Sequence, residues 1–332
     1  MVDTPAFLDT NRPAVPDLVV SRGVLPFHLP NRPVRGRLVR LGPLADALLT
    51  RHDNPDPVTA LTGEALALVA GLATALKFQG SFSLQSKGDG PVPMLLADCT
   101  EAGALRGYAR VDAEKLDALL ERSPEPSAAE LLGSGYLAFT VDQGGASERQ
   151  QGIVAIEGDS LSDMAMHYFD TSEQLACEVR LACGRRDGQW RAAALVIERV
   201  ARAGGLAGST ELPANDDRPD GEDDLPENDT AWDDAWAEAV ALATTVRADE
   251  LLDDELSPED VLYRLFHENG VAVDRPRALA YGCRCSRSRL AGILETFPPD
   301  DLDHMTVGRD IVMTCEFCNY DFRFARDSVR GA

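Results

Sequence analysis

The chain has no long hydrophobic run, no excess of positive charge, and none of the short motifs that mark nucleotide-dependent or hydrolytic enzymes. Its most apolar stretch, residues 65–76, falls short of the roughly 18 residues a membrane span needs. Residues 1–16 are polar and proline-rich, without the apolar core of a secretory signal. A net charge of -23 repels phosphate backbones and opposes nucleic-acid binding. No Gly-x4-Gly-Lys-Ser/Thr, G-x-G-x-x-G, H-E-x-x-H or G-x-S-x-G is present. These absences point to a cytoplasmic protein with neither membrane nor nucleic acid as partner, and not an enzyme.

What the chain does have is seven cysteines in 332 residues. In a reducing compartment they argue for metal ligation or redox sensing rather than a disulfide scaffold. Four form two close pairs, Cys283-x-Cys285 and Cys315-x-x-Cys318, with 29 residues between the pairs. Two such pairs on separate turns suit a tetrahedral zinc(II) site of four thiolates. Thiolates also oxidise, so the same site can act as a redox switch. Arg284, Arg287 and Arg289 stand beside the first pair and could offset the negative charge of a zinc–thiolate centre. Four cysteines allow three disulfide connectivities. Pairing within each motif needs the least rearrangement and would leave the two halves without a cross-link.

The length suits two domains of about 100–200 residues each. Residues 1–20 read as a loose leader. Residues 21–205 carry many short alternating segments and a few helices, the pattern of an α+β domain. Strands are expected at 81–85, 93–99, 105–111, 135–141 and 151–157, with 34–41 a strand or helix start. A buried helix over 61–76 takes Thr62 as its cap, and 160–169 forms another helix. A final hairpin joins 178–183 to 190–199 through Arg186-Asp-Gly188. The composition then changes: residues 211–260 hold 19 acidic residues and two arginines. An acidic insert, 206–229, lacks an apolar pattern and is expected to be disordered. From 230 to 270 a helical linker follows. Trp232, Trp236, Ala239, Val240, Ala243 and Val246 recur at helical spacing. Ser257-Pro-Glu-Asp260 opens a second helix with Leu262, Leu265 and Phe266 on one face. The cysteine segment occupies 271–328. So small a segment cannot be stable without its metal, since bound zinc contributes roughly 10–16 kcal/mol.

At this point the residues match a known family. The motifs Gly282-Cys-Arg-Cys-Ser-Arg287, Thr314-Cys-Glu-Phe-Cys-Asn319 and Leu262-Tyr-Arg-Leu-Phe-His-Glu268 carry the resemblance. So do Gly88-Asp-Gly-Pro91, Leu105-Arg-Gly-Tyr-Ala-Arg110 and Gly152-Ile-Val-Ala-Ile-Glu-Gly-Asp159. The chain resembles the heat shock protein 33 family, the redox-regulated bacterial holdase chaperones. The resemblance implies one zinc(II) per chain in the reduced state, held by Cys283, Cys285, Cys315 and Cys318. It implies an inactive reduced monomer. Oxidation then forms the Cys283–Cys285 and Cys315–Cys318 disulfides, releases zinc, and unfolds the linker and C-terminal segment. The activated protein dimerises, holds unfolding proteins without ATP, and passes them to ATP-dependent chaperones. Trp232, Trp236, Leu262, Leu265 and Phe266 become candidate client contacts once the linker opens.

Three alternatives compete. A thiol–disulfide oxidoreductase would use Cys315 and Cys318 at the start of a helix. A zinc ribbon could be purely structural. A zinc-ribbon nucleic-acid binder would need Arg264, Arg284, Arg287 and Arg289 as a patch. Cys99, Cys177 and Cys183 read as small buried hydrophobes. His304 is not expected to be a ligand, because four sulfurs already complete the shell.

Overall fold

The computed structural model describes residues 18–74, 80–143, 150–200 and 229–329. The leader up to residue 17 and the acidic insert up to residue 228 lie outside the described residues. In chain order the first region contains β1 (Val19–Leu29), β2 (Val34–Arg40), α1 (Pro43–Leu49), α2 (Asp56–Ala73), β3 (Ser81–Gly88), β4 (Met94–Thr100) and β5 (Ala104–Arg110). It continues through α3 (Ala113–Arg122), α4 (Ala128–Leu132), β6 (Gly135–Asp142), β7 (Gln150–Ala155), α5 (Leu161–Ser172), β8 (Cys177–Arg186) and β9 (Gln189–Arg199). The linker holds α6 (Asp229–Ala243), α7 (Ala248–Leu251) and α8 (Pro258–Phe266). Then follow β10 (Ala272–Val273), β11 (Arg277–Tyr281), α9 (Arg287–Leu294), α10 (Pro299–His304), β12 (Thr306–Val307), β13 (Asp310–Cys315) and β14 (Tyr320–Ala325).

The α+β architecture is as expected. Eleven strands form one sheet in the order β7-β6-β3-β4-β5-β11-β1-β2-β9-β8, with β10 on β1. Every pairing is antiparallel except that of β5 with β11. Two boundaries differ from the sequence reading. Strand β1 already begins at Val19, inside the expected leader. Residues 272–273 and 277–281, expected in the zinc segment, are strands of the large sheet. Strand β11 is an internal strand, lodged between β5 and β1, so the chain reaches Cys283 directly from the core.

Helix α2 crosses one face of the sheet and has 14 buried residues among its 18. It is long and apolar enough to cross a membrane, yet 78% of it is buried inside the fold, as in a core helix. It starts after Pro55 rather than at Thr62. The apolar periodicity extends back to Val58, and the Thr62 hydroxyl donates to the Val58 carbonyl one turn earlier.

Strand β9 is apolar on both faces. Ala192, Ala194 and Val196 join the cluster around α2. Ala193, Leu195 and Ile197 join a second cluster with Leu25, Phe27 and Leu38. Helices α6–α8 cover that second face through Ala239, Ala243, Leu262, Leu265 and Phe266. The Phe27 and Phe266 rings stack at 5.6 Å between centroids. Gly36, opposite Phe27 in the β1–β2 register, leaves the room: a Cβ there would lie 2.4 Å from the Phe27 ring. Trp232 is buried and Trp236 is half-buried. Ser257 caps α8 by accepting from the Asp260 backbone N–H. A third cluster of Leu294, Leu302, Ile311, Phe322, Phe324 and Val329 forms the small core of the C-terminal segment.

Candidate metal centre

The two cysteine motifs sit on two turns that face each other. Tyr281 ends β11, Gly282 follows, and Ser286 caps α9 by accepting from the Arg289 N–H. The Gly282 N–H donates to the Leu105 carbonyl at 2.6 Å, and a Cβ at Gly282 would lie 2.6 Å from the backbone of Ala104 and Leu105. Only glycine lets the chain leave the parallel β5–β11 pairing so closely. The second motif closes the β13–β14 hairpin, where Cys315 pairs with Tyr320. Asn319 takes a left-handed φ of 51°, which asparagine tolerates, and its N–H returns to the Cys315 carbonyl at 2.8 Å.

This brings four sulfurs together. Cys283 Sγ lies 3.5 Å from Cys285 Sγ and 3.7 Å from Cys315 Sγ. Cys285 Sγ lies 3.5 Å from Cys318 Sγ, and all four lie within 4.8 Å of one another. Four sulfurs about 2.3 Å from a common centre are about 3.8 Å apart, so the cluster fits a tetrahedral metal ion. A disulfide would need about 2.05 Å, so no S–S bond joins these four sulfurs. The sulfur–sulfur contact with Cys285 holds the Cys283 thiol down at about 7. Contact with Cys283 lowers Cys315 as well, while contacts within the cluster raise Cys285 and Cys318. Four sulfurs this close share their protons, and a cation would relieve the repulsion among their thiolates.

The centre is docked on the core sheet. Cys283 and Cys318 are buried in the cluster that surrounds α2. The Phe317 ring lies under the Arg106 guanidinium at 4.2 Å and edge-on to Tyr108 at 5.1 Å. Arg110 pairs with Glu316 at 2.9 Å. Asp98, buried on β4, accepts from Arg106 at 3.1 Å and from Arg284 at 2.6 Å. Of the three arginines expected to offset the charge of the centre, Arg284 is engaged by Asp98 and Arg287 lies over the Phe324 ring at 4.4 Å. The docking residues were not foreseen. Their signal is the alternation Arg106, Tyr108, Arg110 along one side of β5, a polar–aromatic stripe that needs something to cover it.

The alternatives fare poorly. The Cys315–Cys318 turn joins two strands rather than opening a helix. Arg264 pairs with Glu250 at 2.7 Å and Arg284 with Asp98, which engages two of the four arginines a nucleic-acid patch would use. Burial pushes the Cys99 and Cys177 thiols up to about 12 and raises Cys183 too, which removes their nucleophilicity. His304 bonds the Asp300 carbonyl at 2.6 Å and is not in the sulfur cluster.

Comparison with known proteins agrees with this arrangement. The family described as Hsp33 protein matches residues 23–325. A 33 kDa chaperonin of Caulobacter vibrioides is 39% identical over 313 residues, covering 91% of this chain and 96% of that protein. A 33 kDa chaperonin of Pseudomonas fluorescens is 33% identical over 300 residues, covering 90% and 89%. The crystal structure of a 33 kDa chaperonin (heat shock protein 33 homolog) of Thermotoga maritima superposes with a TM-score of 0.72. At 19% identity, with 93% of this chain and 96% of that one covered, it bears on the fold. With its sheet, its covering linker and its four-thiol centre, the chain belongs to the Hsp33 family, a family of chaperones rather than enzymes.

Proposed function

We propose that this chain is an ATP-independent holdase chaperone, cytoplasmic, with a zinc(II)-loaded reduced form that is inactive and an oxidised form that binds unfolding proteins. The observation that carries the reading is the sulfur cluster at tetrahedral spacing, lodged against β5 and reached through β11. Bound zinc would supply a cross-link between two turns that share no covalent tie. Cys283, Cys285, Cys315 and Cys318 hold it as thiolates.

Oxidation removes those donors. With peroxide as oxidant, each pair of thiolates gives up two electrons and forms one S–S bond, while the peroxide takes those electrons and two protons from solvent to become two water molecules. The sulfur separations do not choose a pairing: Cys285–Cys318, at 3.5 Å, is as close as Cys283–Cys285. The Cys283–Cys285 and Cys315–Cys318 pairing rests on the family resemblance, and it leaves the two turns untied. The small C-terminal core then lacks enough buried surface to persist. Loss of order propagates to the linker, and the sheet face under α6–α8 becomes accessible. Leu262, Leu265 and Phe266, buried in the closed form, become client contacts together with Trp232 and Trp236. The activated chain dimerises, and clients pass afterwards to ATP-dependent chaperones.

Light scattering of a heat-unfolding client tests the proposal. The peroxide-treated protein should suppress aggregation and the reduced, zinc-loaded protein should not. Equal suppression by both would make the metal structural and any activity constitutive. Disulfide mapping by mass spectrometry of the active form decides the pairing.

A further inference from the structure

The polar contacts between the core and its linker are one-sided. The linker, residues 229–270, carries twelve acidic residues and two arginines. Both arginines are engaged within the linker, Arg264 with Glu250 and Arg247 with Asp249 and Glu250. Its acids face core arginines instead. Arg22 pairs with Glu259, Arg32 with Glu238, Arg191 with Asp254 and Arg199 with Asp233. Arg186 donates to the Asp249 carbonyl. Arg40, only 9% exposed, donates to the carbonyls of Glu250, Asp253 and Leu256 where the chain turns from α7 to α8. Every donor in this set is an arginine, in a chain with 29 arginines and three lysines. The planar fork of arginine suits carboxylates and paired carbonyls in a way lysine does not.

We propose that the sheet face beneath the linker is a recognition surface for amphipathic helical segments of other proteins whose apolar face is flanked by acidic residues. The inference rests on the reading that activation uncovers this face. The linker occupies it as such a segment would. Its apolar side fills the space over Leu25, Phe27, Leu195 and Ile197, and its carboxylates meet the arginine rim. Arg40 reads backbone carbonyls, which any sequence supplies, while Arg22, Arg32, Arg191 and Arg199 read charge. The chain's own net charge of -23 works against an acidic partner. A measured preference for acidic segments would therefore have to come from this rim.

The test uses the full-length protein, reduced or peroxide-activated, and three fluorescent helical peptides with one shared Leu/Ala/Phe face. Their flanks carry Glu, Gln or Lys. Activated protein should bind the Glu peptide roughly tenfold more tightly than the Lys peptide at low salt, as a few rim pairs would give. The preference should shrink as salt rises and vanish in a R32Q/R191Q/R199Q variant. Because that variant could also loosen the linker, the salt titration of the unaltered protein stands as the independent measurement. Equal binding, a preference for Lys, or no peptide binding by a form that still suppresses client aggregation overturns the acidic-segment proposal and leaves the redox-chaperone reading in place. Neither binding nor suppression after activation overturns both.

Discussion

Strand β9 presents two apolar faces, and the two are covered in different ways. On one side α2 lies against the sheet almost wholly through aliphatic side chains such as Leu66, Leu68 and Val69, each fully buried. On the other, α6–α8 bring a smaller apolar set and are fastened at the edges by arginines to carboxylates and carbonyls. Burial of this kind contributes roughly 1.5–3 kcal/mol per large side chain, with no solvent alternative. Exposed ion pairs contribute about 0–1 kcal/mol each, and water or salt can replace them. On the proposed reading, α2 is a permanent cover and α6–α8 a removable one on the same strand, and the difference lies in how each is held.

The largest effect should come from removing what holds the removable cover in place from a distance. Cys283→Ser deletes one of the four donors, and loss of the metal forfeits on the order of 10 kcal/mol. The expected outcome is a metal content near zero and rapid proteolysis in the linker and beyond residue 282 in reducing buffer, with β11 kept in the core sheet. The α2-covered core should keep its urea transition. A C283S protein that stays protease-resistant would mean the C-terminal segment stands without metal.

Two truncations compare the faces directly. Leu68→Ala, under α2, should lower the stability of the core by about 2–5 kcal/mol without uncovering the second face in the reduced protein. Phe266→Ala removes the ring stacked on Phe27 and should cost about 3–5 kcal/mol, taken from linker docking. Reduced F266A should therefore bind an apolar dye and suppress client aggregation without oxidant. If L68A activates the chaperone and F266A does not, the assignment of the two covers is reversed.

How much of this contrast is legible in the sequence depends on how local its causes are. The hairpin at Arg186-Asp187-Gly188 is readable because Asp187 and Gly188 take φ of 49° and 78°, which aspartate tolerates and glycine, without a Cβ, adopts freely. The thiol cluster is readable because ligand spacing is a local property. The α4 helix carries its signal openly as well, a capping box of Ser127 and Glu130, though the expected elements omit it. Strand β11 is not readable as a core strand, because its partner Leu105 lies far away in the chain and a two-residue parallel pairing leaves no pattern. Nor is the docking of Phe317 on Arg106 and Tyr108, since each residue looks like an ordinary surface position until the other arrives.

The α2 face has one internal weakness, a buried carboxyl that makes its stability depend on pH. Glu64 lies on α2 near the Cys183 thiol, and burial holds its carboxyl up at about 7, against 4.5 ordinarily. Between those values the unfolded chain gives up this proton and the folded chain keeps it. Its contribution to stability is therefore highest below pH 4.5, falls as pH rises, and is at its lowest above about 7. Glu64→Gln should raise core stability at pH 8 by up to about 3 kcal/mol and leave it unchanged at pH 4. Urea midpoints at the two pH values check it. An equal gain at both would show that the effect is packing and not ionisation.

The smallest effect tests the fastening itself. Arg199 reaches Asp233 at 2.5 Å from the end of β9, and both side chains are partly open to solvent. Arg199→Gln should weaken linker docking by only about 0–1 kcal/mol, read as a modestly faster hydrogen exchange in α6 of the reduced protein. Raising salt should bring the unaltered protein toward the variant, because screening removes the same pair. Amides in the middle of α2 should respond to neither change, for the helix's ion pair to the sheet, Asp56 with Arg185 of β8 at 3.1 Å, is exposed and sits at its first residue. An α2 that loosened with salt as α6 does would erase the distinction between a cover held by burial and one held at its rim.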